Sequence, residues 1–280
     1  IGKIGVGEST LAGLTAWLHA LEIDHKDFMS FTDASYKLSI KFTDFYKKGD
    51  GGYHYPFGSP TLSACSMDNA NDWHVLKQLD SSIEKQDYVN SIFPQSVLLE
   101  TNKMHFPEND EMDSFTMKKD YALQFDAIKF AEWLKDNYAK PRGVKHIIAN
   151  VVKVNTDDSG VSSVILDNGS EIVSDLYVDC TGFKSMLIGE ALNTPFESLE
   201  EYLPVNRTWA VQLQYENPEE EVVNYTNCTA LGSGWVWNAP LYSRIGTGYV
   251  YSDKFTTPEA ALEEFKEHLR KEKGAHRITC

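Results

Sequence analysis

The sequence predicts an α/β fold with a mixed sheet, a β-meander and a partly helical region set between the strands. Three observations carry this. A glycine-spaced loop, Ile4-Gly5-Val6-Gly7-Glu8-Ser9-Thr10, runs straight into a helical pattern. From residue 144 the apolar period becomes two, with Asp158-Ser159-Gly160 and Asp167-Asn168-Gly169 spaced as hairpin turns. Between these stretches, residues 46–118 mix short helical patterns with loops.

Composition bounds the rest. A chain of 280 residues with 42% apolar content can bury a sizeable core as one large domain or two modest ones. No apolar run approaches the roughly 20 residues that span a bilayer. A formal charge of −15 argues against nucleic acid and anionic membrane as partners. Cys65, Cys180, Cys228 and Cys280 form no CxxC pair, which fits a reducing, cytoplasmic setting and neither zinc nor a disulfide framework. The chain opens without Met and closes just after a helical pattern, so both ends read as cuts, and a signal peptide stays open.

Taken in order, Leu11, Leu14, Trp17, Leu18 and Leu21 recur at helical spacing, with Ser9 or Thr10 as the expected cap. A glycine loop feeding a helix N-terminus can hold a cofactor through backbone N–H groups, and it can equally be a plain turn. A short capped helix is expected near 24–28. Residues 33–42 alternate as one strand. Ala34, Tyr36, Leu38, Ile40 and Phe42 fall on one face, and Ser35, Lys37, Ser39 and Lys41 on the other. Lys37 among small hydroxyls is either a solvated lysine or a donor or nucleophile aimed into a cavity. The turn Gly49-Asp50-Gly51-Gly52 leads to Tyr53-His54-Tyr55-Pro56-Phe57, a satellite core or a stacking wall for a flat substrate. Helical patterns at 72–79 and 84–92 precede a polar stretch, 94–114, that reads as loops or a mobile lid.

Asp126 should cap a helix carrying Ile128, Phe130, Ala131, Leu134 and Tyr138, stopped before Pro141. Strands are expected at 144–148, 151–154, 161–166 and 171–178. The last runs into Asp179-Cys180-Thr181-Gly182-Phe183, where Gly182 lets the backbone pass close to another group. A helix at 185–192 follows, then strands at 209–215 and 243–251. Between those two strands, Trp235 and Trp237 share one side of an extended segment. Thr257 caps a final helix with Leu262, Phe265 and Leu269 as its stripe and Gly274 as its end. His19 and His25 have no carboxylate cluster with metal-ligand spacing, so no metal site is expected.

These stretches together carry a resemblance. Ile4 to Thr10, Tyr36-Lys37, Tyr53 to Phe57, Tyr121-Ala-Leu-Gln-Phe-Asp-Ala127, Asp179 to Phe183 and Trp235-Val-Trp-Asn-Ala-Pro240 occur in the order seen in flavin-dependent halogenases of the tryptophan-halogenase type. The tryptophan pair is the most specific element, because it resembles the WxWxIP signature that sets these enzymes apart from other flavin monooxygenases. The resemblance spans nearly the whole chain. It implies an FAD/NAD(P)-binding, flavin-monooxygenase-like fold, with FAD-binding parts at 1–45 and 119–192. It also implies a substrate-region insertion and lid at 46–118, and the sheet and helix of the substrate region at 193–280.

The implied activity uses reduced FAD from a separate flavin reductase, O2 and a halide to make hypohalous acid. Lys37 would hydrogen-bond that oxidant or become a haloamine, and an electron-rich aromatic such as tryptophan or an indole would be halogenated. By position match, Val6, Gly7, Glu8, Ser9, Val151 and Gly182 would meet the cofactor, and Tyr55, Phe57, Trp235 and Trp237 the substrate. A homodimer is compatible with this. The sequence departs from the pattern in places. GxGxxG would lie before Ile1, and the EPLEST-like segment after Cys280. WxWxIP reads WxWxAP, and His-Pro-Phe reads Tyr55-Pro56-Phe57. An aromatic hydroxylase and a non-catalytic flavoprotein fragment are the alternatives.

Overall fold

The computed structural model describes residues 8–58, 67–105 and 120–273. The chain divides into two compact units, one of Leu134–Pro204 and one of the segments on either side of it. Strands in order are β1 (Glu8–Ser9), β2 (Ser35–Lys37), β3 (Ser39–Thr43), β4 (Gly52–Pro56), β5 (Ala122–Phe125), β6 (Val151–Asp157), β7 (Gly160–Leu166), β8 (Glu171–Ile172), β9 (Arg207–Gln214), β10 (Tyr225–Ala230), β11 (Gly234–Pro240) and β12 (Arg244–Tyr251). Helices are α1 (Ala12–Ala20), α2 (Lys26–Met29), α3 (Met67–Leu79), α4 (Lys85–Ile92), α5 (Pro94–Glu100), α6 (Ala127–Trp133), α7 (Pro218–Glu221) and α8 (Pro258–Lys273).

The larger unit holds two sheets. A small one runs β1-β5-β2, and a six-stranded one runs β4-β3-β10-β11-β12-β9. Only the β3–β10 pairing is parallel, so the large sheet is mixed, as the sequence predicted. α8 covers one face of it: Ala261, Phe265 and Leu269 pack on Leu213, Val236, Ile245, Tyr249 and Tyr251. Burying these side chains supplies roughly 1.5–3 kcal/mol for each large one, which is what holds an otherwise polar helix in place. Thr257 caps α8 as expected, its hydroxyl accepting from Ala260 N at 3.2 Å. Behind the small sheet, Phe28, Phe125, Phe130 and Trp133 form an aromatic cluster, with Phe28 fully buried.

Several expectations are corrected. The stretch 33–42 is two strands, not one, and it changes sheet at Leu38. There the backbone N–H donates to Asn224 O at 2.7 Å, and the carbonyl accepts from Phe57 N at 2.8 Å. Neither Ser9 nor Thr10 caps α1. Leu11 stands at that position, because both hydroxyls are already engaged elsewhere. Part of the stretch read as loops, 94–114, is the helix α5, which starts with Pro94 in its first turn. The helix capped by Asp126 changes at Leu134 to π-helical turns that run on through Ala139. Pro141 sits inside a following 3-10 turn, and Gly143 in the left-handed region ends it.

The smaller unit holds the meander β6-β7-β8, with both predicted hairpins in place. Residues 144–148 form no strand, and 171–178 pairs only over Glu171–Ile172. Among the described residues no ladder partner lies beside them, and Ile148 is 90% exposed. The expected helix at 185–192 is a run of π-helical turns, Met186–Ala191. No described helix is long and apolar enough to cross a membrane, and no described group of His, Cys, Asp and Glu could hold a metal ion.

Candidate active site

Successive side chains of a strand alternate between the faces of its sheet, so the pairing registers sort the large sheet into two surfaces. Tyr225, Asn227 and Thr229 share a face with Lys41, His54, Val236 and Tyr249, which is the face α8 covers. On the other face lie Tyr53, Tyr55, Ile40, Phe42, Thr226, Cys228, Trp235 and Trp237. The two indoles are both half-buried, 6.4 Å apart between ring centroids and near edge-to-face. Gly248 stands opposite Trp237 in the register. A methyl group there would lie 2.1 Å from the indole Cη2 and 2.6 Å from Trp209 O, so only glycine lets this ring lie across β12.

Lys37 ends β2 at the second face. It is only 2% exposed. Its ammonium Nζ donates to Thr10 O at 2.8 Å and lies 5.2 Å from the centre of the Phe57 ring. Burial, only partly opposed by the nearby Cys228 sulfur, lowers its pKa from 10.5 to about 8. In turn burial pushes the Cys228 thiol up to about 11. Cys228 pairs with Trp237 across the β10–β11 ladder, so the thiol and the tryptophan pair share one face of the large sheet, and the amine, from the small sheet, lies beside that thiol. A dry amine with a titration point just above neutrality can donate a hydrogen bond as ammonium, or act as a nucleophile once neutral.

The predicted substrate residues share that surface but differ in burial. Phe57 is 8% exposed and covers the lysine, whereas Tyr55 is 64% exposed on edge strand β4. His54 points the other way. Its Nδ1 bonds the buried Ser39 hydroxyl at 2.7 Å, and its ring meets Tyr225 edge-on. Burial together with the Lys41 charge lowers its pKa to about 4, so it stays neutral.

Of the predicted cofactor residues, Val6 and Gly7 lie outside the described residues. Glu8 accepts from Ala127 N at 2.9 Å through Oε2, and the Ser9 hydroxyl bonds that of Thr226. α1 begins with no side-chain cap, and the space beside Gly13 is open. Leu14 N donates to Leu11 O at 3.0 Å, so the N–H groups of Ala12 and Gly13 are the ones that suit an external anionic or carbonyl acceptor such as a flavin nucleotide offers. Val151, half-buried in β6, and Gly182, at φ +65° with open space beside it, belong to the smaller unit. Sequence reasoning gave Thr10 only a place as a helix cap, and gave no role to Ser35, Gln124, Thr226 or Cys228. Gln124 stood within a recognised motif, but its partners come from strands more than 80 residues away on both sides.

Comparison with known proteins identifies the family. The tryptophan halogenase family model matches residues 1–279. The tryptophan 6-halogenase SttH of Streptomyces toxytricini is 32% identical over 96% of this chain and 54% of its own length. The tryptophan 7-halogenase RebH of Lentzea aerocolonigenes is 32% identical over 95% of this chain and 52% of its own. Among solved structures, apo VirX1 superposes with a TM-score of 0.88 at 37% identity, covering 99% of this chain and 54% of that one. The chain thus spans about half the length of the relatives it matches. With matching sequence along nearly its entire length, and a fold shared with a solved relative, the chain belongs to the tryptophan halogenase family.

Proposed function

We propose that this chain is the lysine-bearing part of a flavin-dependent halogenase that acts in the cytoplasm on an electron-rich aromatic, tryptophan or another indole. The reading rests on its family membership and on similarity to halogenases that are named for tryptophan. One observation carries it: the Lys37 amine is sealed from water against Phe57 and beside Cys228, the residue paired with Trp237 in the large sheet. Glu8 and Ser9, with Val6 and Gly7 before them in sequence, are the residues proposed to meet FAD. When bound and reduced by a separate reductase, FAD supplies with O2 and halide the oxidising equivalent, hypohalous acid.

The chain's own residues do the rest. Lys37 holds the oxidant by donating a hydrogen bond, or takes the halogen as a haloamine. Phe57 keeps water from the amine, so the oxidant is spent on the guest and not on solvent. Trp235, Trp237 and Tyr55 offer ring faces to the aromatic substrate. The test is the full-length protein with reduced FAD, O2 and bromide, assayed by mass spectrometry on a panel of indoles. A brominated product is expected. A product gaining oxygen and no halogen, with flavin bound, sinks the reading in favour of a hydroxylase.

A further inference from the structure

Gln124 is fully buried in the middle of the small sheet. Its strand, β5, is the central one, and in register Gln124 faces Ser9 on β1 and Ser35 on β2. Its side chain leaves that sheet for the large one. The amide Nε2 donates to Pro240 O at 3.2 Å, and Oε1 accepts from the Thr226 hydroxyl at 2.8 Å. The amide cannot be turned round, because a peptide carbonyl needs a donor. Pro240 O also accepts from the Ser35 hydroxyl. Ser35 is two residues before Lys37 and on the same side of β2, and Pro240 ends the strand that bears Trp235 and Trp237. The strand of the lysine is thus pinned to the strand of the indoles at a single carbonyl, by two side chains standing shoulder to shoulder. Thr226 extends the chain of bonds to Ser9.

We infer that Gln124 is a positioning residue that fixes where the Lys37 amine stands relative to Trp235 and Trp237. It touches neither the amine nor a reacting atom in this arrangement; it acts by holding β2 and β11 together. Its catalytic meaning rests on the halogenase reading above, but its geometric effect on Lys37 does not. A buried amide with both ends spent on partners in another sheet is costly to replace by an apolar group of the same length, because Pro240 O and the Thr226 hydroxyl lose bonds inside the protein.

The experiment compares full-length parent, Gln124→Met and Gln124→Glu. The first readout is the titration of Lys37, followed by NMR of the isotopically labelled side chain. In Gln124→Met, water reaches the amine and its titration moves up towards 10.5. The second is the partition of oxidising equivalents between halogenated indole and hypohalous acid caught by an added trap. Misplacing the amine by a fraction of an ångström lowers the product share about 10- to 100-fold while O2 consumption holds. Gln124→Glu separates a donor from mere bulk, since its carboxyl can donate to Pro240 O only when protonated. Its product share therefore recovers as the pH falls. Should Lys37 titrate as in the parent in both variants, with the partition unchanged and only the melting temperature lowered, Gln124 is structural and the inference is overturned. If the parent halogenates nothing while the lysine titration still moves in Gln124→Met, the halogenase reading fails and the clamp stands.

Discussion

Lys37 and Lys41 lie four residues apart and share one side of the same alternating stretch, yet the fold sends them to opposite surfaces. Lys37 closes β2, is 2% exposed, and gives its hydrogen bond to Thr10 O. Lys41 lies in β3 on the face that α8 covers, half-buried, with its ammonium 5.7 Å from the centre of the Tyr225 ring. The change of sheet at Leu38 makes the difference. A residue's face is a property of the sheet it joins, and a chain that changes sheets resets that assignment.

The sharpest way to break the contrast is to remove each amine. Lys37→Ala should lower halogenation by at least about 100-fold, the scale of losing a positioned proton donor or acceptor, while O2 consumption continues. Lys41→Ala should stay within about twofold, as expected of a residue outside the reacting surface. Rates of product formation alongside O2 uptake decide it, and equal losses in the two variants would undo the comparison.

The buried amine also sets a pH signature. The pKa falls from 10.5 to about 8 on folding, so the unfolded chain binds more protons between those values. Carrying the charge therefore costs stability below pH 8, and that cost fades as the pH rises towards 10.5. Lys37→Met should melt above the parent at pH 7, with the gap closing by pH 10, and Lys41→Met should show no such closing gap. Parallel melting curves across pH would contradict the sealed environment.

Smaller effects sharpen the picture of the frame. Arg244 is 8% exposed, and its Nη2 meets Asp126 Oδ2 at 2.9 Å, joining β12 to the residue that caps α6. Arg244→Met removes the charge partner of that carboxylate, which keeps its two backbone donors in α6, and should cost about 1.5–3 kcal/mol in denaturant unfolding. Gly248→Ala should cost about 1–3 kcal/mol as Trp237 is pushed from its place, with a change in tryptophan fluorescence. Tyr55→Ala should leave stability within about 0.5 kcal/mol, since the ring is largely in solvent. Its effect should appear only as a modest rise in KM for the aromatic.

Local pattern made much of this legible. Period two with turn residues located β7, β9, β11 and β12, and the cap at Thr257 located α8. The same signal misled at 144–148 and 173–178, because alternation becomes a strand only where a neighbouring strand supplies the ladder. It also could not show the break at Leu38, since the bonds that impose it come from Asn224 and Phe57. In the site, Lys37 and the tryptophan pair were visible from their motifs. Cys228, and the contacts that Thr10 and Gln124 make beyond their motifs, were not, because each acts through a partner far along the chain.

Glu8, Ser9 and Thr10 are each bound to a strand or helix far along the chain. Glu8 is tethered to Ala127, Ser9 to Thr226, and Thr10 both to Leu123 through its hydroxyl and to Lys37 through its carbonyl. A segment moored at every step has little conformational freedom left to lose. Under the FAD assignment proposed above, an incoming nucleotide would meet a seat already set, with the entropy of ordering this segment settled when the chain folded.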